Sequence, residues 1–416
     1  MKVLILDGDE NQAVACVRSL SRAGHSVYVG SSLRSWKAGW SRYCHGRFLY
    51  PPPERDPESF VRRVCEEVRN SGGALVLPMT ERTMLPLSAC RGELTAAGAQ
   101  FVLPSHDIVL KTFDKFQTMR LAQELAIAVP HTVMTEGSTS ADGVIPLLRF
   151  PVVLKPRSSW EPNSTGAVMA TGRPLYARNG EEFRTALREL QQRSNSILIQ
   201  EFVEGRGVGY FALMRHGELR AEFAHQRIRD VRPTGSGSAF RRSVLPDPRV
   251  REAGLAILQA LGWHGAAMVE FRLTSDGVPI FLEVNGRFWN SLALAVYSGV
   301  DFPVLLARMA EQGDLPPSGN YRVGVHCRWL LGDFRHLVEV WRGAPRAFPG
   351  RFPRRLRTLW DFLLPVPGTY HDNFEWRDPL PELGDWLDFL LRKLPKRGRP
   401  LRIVPESYAQ SRHSHP

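Results

Sequence analysis

Glu283, Asn285 and Arg287 alternate along the run Pro279-Ile-Phe-Leu-Glu-Val-Asn-Gly-Arg287. At ~3.3 Å per residue, a strand carries all three on one side. Upstream, Met268-Val-Glu-Phe-Arg272 is a second apolar run, and Ser275-Asp-Gly277 between the two predicts a hairpin turn. Glu270 can then join the same face from the partner strand. Two carboxylates and an amide oxygen are hard ligands suited to Mg²⁺, which keeps several waters and takes the rest of its shell from phosphates. Arg287 would clamp a phosphate or leaving group. A lone Glu-x-Asn-x-Arg run is more often a half-exposed hairpin with solvated acids, so the residues upstream must decide.

Two lysines come first. Lys115 sits where a helix is expected to begin, around Thr112-Phe-Asp-Lys115, and Lys155 ends the apolar run Phe150-Pro-Val-Val-Leu-Lys155. A lysine at the end of a buried strand is costly unless an anion meets it. The loop after it, 157–166, is polar and could close over phosphates through backbone N–H groups. In water, both lysines would be ordinary surface charges. Ile197 to Val203 reads as a strand, Glu204-Gly-Arg-Gly207 as a turn and Val208 to Met214 as the returning strand. A flat aromatic base could pair with such an edge, with Glu201 accepting from an exocyclic amine. An ordinary hairpin fits equally. From His225 the chain turns basic: Arg227 and Arg229, the glycine-serine stretch holding Gly235 and Ser236, then Arg241-Arg242-Ser243. Guanidinium forks around such a loop suit carboxylate or phosphate oxygens, and without an anion these arginines would repel one another.

The elements that must position these residues follow from pattern. Lys2 to Leu6, a helix over Asn11 to Ala23 capped by Gly24, and His25 to Val29 predict a right-handed parallel unit with a ligand crevice at its strand ends. A helix over Pro57 to Asn70 and strands over Ala74 to Leu77 and Gln100 to Leu103 extend it. Gly-x-Gly-x-x-Gly is absent, which argues against a nicotinamide site. Beyond Gly313 the expectation is a strand and amphipathic helix over Tyr321 to Trp341, a proline-rich basic stretch over Pro345 to Pro367, a helix over Leu383 to Leu394 and a frayed tail.

Composition bounds the rest. A chain of 416 residues is too long for one core. With 43% hydrophobic and 23% charged residues it is globular in composition. Five cysteines without a Cys-x-x-Cys pair suit a reducing, cytoplasmic setting. No run of 18 or more apolar residues predicts a membrane span, and Asp7 cuts short the N-terminal apolar run, so no signal peptide is expected. A formal charge of +12 calls for an anionic partner: nucleotide phosphates, an acidic substrate, nucleic acid or a lipid surface.

With Lys115, Lys155, Glu201, Glu270, Glu283, Asn285 and Arg287 in this order, the chain resembles the ATP-grasp superfamily over most of 1–312. Its carboxylate-amine ligase and carbamoyl-phosphate synthase or biotin carboxylase branch is the nearest match. The resemblance implies an α/β (α+β) architecture: a Rossmann-like domain over 1–105, an ATP-grasp domain over 106–312 with a lid at about 130–200, and a mixed C-terminal extension over 313–416. It implies that Lys115 and Lys155 bind ATP phosphates. Glu201, Phe202 and Val203 would hold adenine, and Glu270, Glu283 and Asn285 two Mg²⁺ ions, for which Mn²⁺ could substitute. Arg287 would face the transferred phosphoryl group. Arg227 and Arg242 would orient a carboxylate, and His225, Gly235, Ser236 and Ser243 would line the acceptor wall. Two departures stand out: the acid some ligases use for ribose falls at Val208, and the loop after Lys155 lacks a glycine run.

The activity so implied is ATP-dependent joining of a small carboxylate to an amine through an acyl phosphate, releasing ADP and phosphate. The alternatives are a nucleotide-binding regulatory or assembly module without turnover, and a bicarbonate-phosphorylating, carboxylase-like enzyme. No specific nucleic-acid partner is expected. The basic C-terminal third could make a peripheral anionic contact, and a homodimer is compatible with the pattern.

Overall fold

Val3, Leu4 and Ile5 are fully buried, as the central strand of a parallel sheet covered on both faces requires. A computed structural model describes residues 1–33, 36–137, 139–157, 160–162, 168–170 and 173–393. The expected phosphate loop, 157–166, lies largely outside the described residues, and the expected tail lies wholly outside them.

The first sheet has five parallel strands in the order Gly46–Leu49, Ser26–Ser31, Lys2–Ile5, Ala74–Leu77, Ala99–Gln100. The helix Pro57–Asn70 packs beside it and starts where sequence says it should, with Pro57 in the first turn and the Asp56 carboxylate accepting from the Ser59 N–H. The strand expected over Gln100 to Leu103 shortens to Ala99–Gln100. The helix expected from Thr112 divides in two. Asp114 ends His106–Phe113 and caps Lys115–Glu124, accepting from the N–H groups of Phe116 and Gln117.

A second sheet is antiparallel, in the order Leu175–Ala177, Val152–Pro156, Ser196–Glu201, Thr132–Glu136. Its core is its own, built with Phe183, Leu187 and Leu190 of the helix Gly180–Gln191.

The third sheet has seven strands: Pro279–Asn285, Gly265–Leu273, Arg206–Arg215, Glu218–Arg232, Ser236–Val244, His326–Arg328 and Tyr370–His371. One face packs on the helices Leu292–Ser298 and Phe302–Gln312 and on the first sheet's layer; the other packs on Pro248–Ala260. No single helix among the described residues is long and apolar enough to cross a membrane.

Two expectations change here. The Arg206–Arg215 strand does not return beside Ser196–Glu201: it pairs with Gly265–Leu273 and Glu218–Arg232, so residues 202–205 link two sheets. The stretch expected as an arginine-lined loop over 235–243 is instead a strand, with the turn confined to 233–235. The arginines find their anions inside the protein. Arg227 meets Glu270, Arg229 meets Asp333 and the fully buried Arg241 meets Asp372. Long-range ion pairs, which local sequence cannot show, remove the repulsion that argued for an external anion.

Candidate active site

The hairpin Gly265–Leu273 and Pro279–Asn285 sets Glu270 directly opposite Glu283 and Met268 opposite Asn285. Like charges in facing positions are unfavourable without cations nearby, and this hairpin is ringed by them. Lys115 Nζ lies 3.4 Å from Glu283 Oε2. Arg227 Nη2 lies 2.8 Å from Glu270 Oε2. Arg287 Nη2 donates to Asn285 Oδ1 at 3.4 Å, and Asn285 Nδ2 donates to Glu270 Oε1 at 3.4 Å. Room for Arg227 comes from the neighbouring strand, where a Cβ on Gly207 would touch its guanidinium at 3.4 Å.

Lys155 joins from the second sheet. It makes no ion pair among the described residues. Burial, and then the charge of Lys115, lower its ammonium to about 8 against the raising pull of Glu283 and Glu270. Burial would raise the Glu283 carboxyl, but Lys115, Lys155 and Arg287 outweigh it and hold the group at about 2. The site thus sets the ionised Glu283 opposite Glu270, beside a lysine that makes no ion pair among the described residues. The two lysine elements are tied together by Arg157, whose Nε donates to Asp114 Oδ1 at 3.1 Å.

Beside Lys155 opens a cavity of about 310 Å³, lined by Gln200, Glu201, Phe202 and Val203 and on its far side by Thr234, Gly235 and Ser236. Glu201 Oε1 accepts from the His131 N–H at 2.9 Å, and the Phe202 N–H donates to Pro151 O at 2.8 Å. Residues from the 345–352 stretch close the cavity on another side. Phe348 meets the rings of Tyr176 and Phe202 at 5.0 and 5.7 Å, and Pro345 and Phe352 join the lining.

No family model matches the chain. Over 216 residues it is 23% identical to a D-alanine–D-alanine ligase of Nitrosomonas eutropha, a match spanning 48% of this chain and 66%, just under two thirds, of that protein. Biotin carboxylase of Campylobacter jejuni superposes with a TM-score of 0.61 at 15% identity, over 78% of this chain and 74% of that one. An L-amino acid ligase of Bacillus licheniformis superposes at 0.57 and 16% identity, over 75% and 74%. The chain has the ATP-grasp fold.

Within this ATP-grasp frame, Lys115, Lys155, Arg227, Glu270, Glu283, Asn285 and Arg287 come together, whereas other expected residues do not. Arg242 is offset by one from Arg241 and Ser243, so strand alternation sends it to the opposite face. There it is exposed and donates to Gln226 Oε1 at 2.9 and 3.1 Å. His225 is 1% exposed and edge-on to Phe211, buried beneath the site and not lining it. Ser243 is buried, its hydroxyl donating to Arg322 O and accepting from the Val325 N–H. Gly235 and Ser236 line the cavity beside Glu201 and do not form a separate acceptor wall.

Segments that follow strands of the first sheet supply two carboxyls, Glu10 and Glu81, that motif reading missed. Burial raises both, against the lowering charges of Arg287 and Lys115 at Glu81, and of Lys37 and Arg287 at Glu10, where neighbouring Asp9 raises it further. Both follow strand ends of the parallel sheet, where the crevice of such sheets lies. That position was the available signal. Asp7 is already saturated, accepting from Thr80 and Thr83 hydroxyls at 2.8 and 2.6 Å. Among the described residues no group of three His, Cys, Asp or Glu side chains is placed to hold a metal. The protein offers two carboxylates and one amide.

Proposed function

We propose that the protein is an ATP-dependent carboxylate-amine ligase. The observation that carries this reading is the convergence of Lys115, Arg227, Arg287 and the unpaired Lys155 on the facing pair Glu270 and Glu283. A cationic pocket around two acids suits a polyphosphate carried with a divalent cation.

Glu270, Glu283 and Asn285 fit Mg²⁺, with Mn²⁺ as a substitute and two ions as the proposed number. Their oxygens are hard, they sit together, and three protein ligands leave room for phosphate and water. Bound there, the metal would offset charge on the γ-phosphoryl oxygens. Lys155 and Lys115 bind the phosphates. Adenine takes the cavity beside Glu201, where the second Glu201 carboxylate oxygen and the Val203 backbone have no hydrogen-bond partner among the described residues. Arg287 holds the γ-phosphoryl group in line, and Arg227 orients the acceptor carboxylate, whose oxygen attacks phosphorus and expels ADP. An amine then attacks the acyl carbon of the mixed anhydride and phosphate leaves, giving the amide. The D-alanine–D-alanine ligase and L-amino acid ligase among the similar proteins are consistent with this class.

The test is incubation with ATP, Mg²⁺ and pools of small acids and amines, read as ADP release and product mass. ADP that appears only with an acid and an amine supports ligation. ADP that appears with bicarbonate alone supports the carboxylase-like alternative, and ATP binding without turnover on any pool supports a non-catalytic module.

A pH dependence follows from Lys155. Its proton is lost as pH rises through about 8 in the free protein, so kcat/KM for ATP should fall above that value. Lys155→Arg, which keeps its charge, should remove this alkaline limb. In nucleotide-free protein the sign reverses: between about 8 and 10.5 the unfolded chain holds the proton more tightly, so this group adds stability as pH rises.

A further inference from the structure

Large apolar side chains at the surface concentrate beyond Trp341. On the helix Arg355–Leu363 and just past it they are Leu356 (72% exposed), Trp360 (62%), Leu363 and Leu364, spaced i, i+4, i+7, i+8. On Leu380–Lys393 they are Leu380, Leu383, Leu387, Leu390 and Leu391, spaced i, i+3, i+7, i+10, i+11. Each set is one helical face. The other faces are already packed on the helix Leu330–Arg342 and its surroundings. Phe362 O accepts from Arg328 Nη2 at 2.8 Å, and the Trp386 ring lies 5.3 Å from that of Phe334. Surface apolar area arranged this way marks an interaction site.

Charge selects the occupant. From Arg342 to Arg357 the chain carries six arginines, 342, 346, 351, 354, 355 and 357, and no acid. All six are exposed. The acids that follow are largely engaged within the protein: Asp372 with Arg241, Asp378 with Arg18, Asp385 with Lys37. A second copy of this chain would bring like charge against like charge. Residues 394–416 cannot neutralise the patch either, since they hold Lys396, Arg397, Arg399, Arg402 and Arg412 against Glu406 alone.

We propose that the exposed face of the helix Arg355–Leu363 docks on the interfacial region of an anionic phospholipid bilayer, with its leucine and tryptophan stripe entering the headgroup boundary and the arginines beside it meeting lipid phosphates and carboxylates. Amphipathic helices with tryptophan and leucine on one side and arginine beside them bind bilayers this way. The stretch involved also reaches the cavity of the candidate active site through Pro345, Phe348 and Phe352. The inference does not rest on the ligase reading, because binding to lipid is measured without nucleotide.

Flotation of the full chain with vesicles of phosphatidylcholine, alone or mixed with phosphatidylserine, tests it. The protein should float only with phosphatidylserine present and should be released as salt screens the charges. Arg354→Gln with Arg355→Gln and Arg357→Gln should weaken that binding on the order of 100-fold. Leu356→Glu with Trp360→Glu should abolish it, and these exposed positions should leave thermal unfolding unchanged in both variants. Three results overturn the proposal: no flotation on phosphatidylserine vesicles at low salt, flotation insensitive to both variants, or a solution dimer that the Leu356→Glu, Trp360→Glu protein fails to form.

Discussion

Glu283→Gln is expected to lower ATP turnover by about 10²–10³-fold, the scale seen when one preorganised charge-stabilising group is removed, while leaving the protein folded. The substitution keeps the shape and removes the charge. That charge is present at every practical pH, because Lys115, Lys155 and Arg287 hold the carboxyl at about 2 in spite of burial. Without it, Glu270 remains as the single carboxylate of the facing pair, and Lys115 loses the partner 3.4 Å away. Nucleotide should still bind, since three cations around a triphosphate gain from losing a competing anion. The loss should therefore fall on turnover and on the Mg²⁺ concentration needed to reach it, not on binding of free ATP. ADP release titrated with Mg²⁺, beside calorimetric nucleotide binding, separates the two effects. Undiminished turnover would take the hairpin out of the chemistry.

Asp378→Ala should cost about 3–5 kcal/mol of stability, the range for stranding one member of a buried ion pair. Asp378 is 1% exposed. Its Oδ2 accepts from Arg18 Nε at 2.8 Å and from Ser41 Oγ at 2.7 Å, and its Oδ1 accepts from the Arg42 N–H at 2.8 Å. Arg18, 3% exposed, also donates to the carbonyls of Asp372 and Asn373 at 3.1 and 2.7 Å. Removing the carboxylate leaves a buried guanidinium whose remaining acid, Glu375, lies 3.9 Å from Nη1, and two further donors unmatched. Urea unfolding measures the loss. A midpoint close to that of the unaltered protein would show that the segment around Asp378 docks loosely.

The hairpin at the centre of the site was legible because its signals are local. Alternation places Glu270, Glu283 and Asn285 on known faces, an Asp-Gly turn joins the two strands, and Arg287 follows past the end of the strand at Asn285, where alternation no longer places it. Lys155 was legible as a charge ending an apolar run. The errors came where pairing is not local. Glu204-Gly-Arg-Gly207 has hairpin composition, yet the strands on either side enter different sheets, a choice made by partners at 132–136 and 265–273. Five arginines in one stretch suggested an external anion, because Asp333 and Asp372 lie about a hundred residues on and their approach leaves no trace in spacing. Arg242 was preferred to Arg241, a distinction that only strand register makes. Glu10 and Glu81 follow strands of the first sheet, far in sequence from the motif residues, and carry no motif of their own.

Arg18 has a bearing on how the chain is made. Its counter-charge lies 360 positions downstream, so during synthesis the helix Asn11–Arg22 emerges with a guanidinium that must stay hydrated until Asp378 has left the ribosome. Contacts of such sequence separation close slowly. The first sheet can collapse early around Val3 to Leu6, but locking it waits for the segment that carries Asp378, and a chain stopped before that residue would leave the ribosome with that lock open.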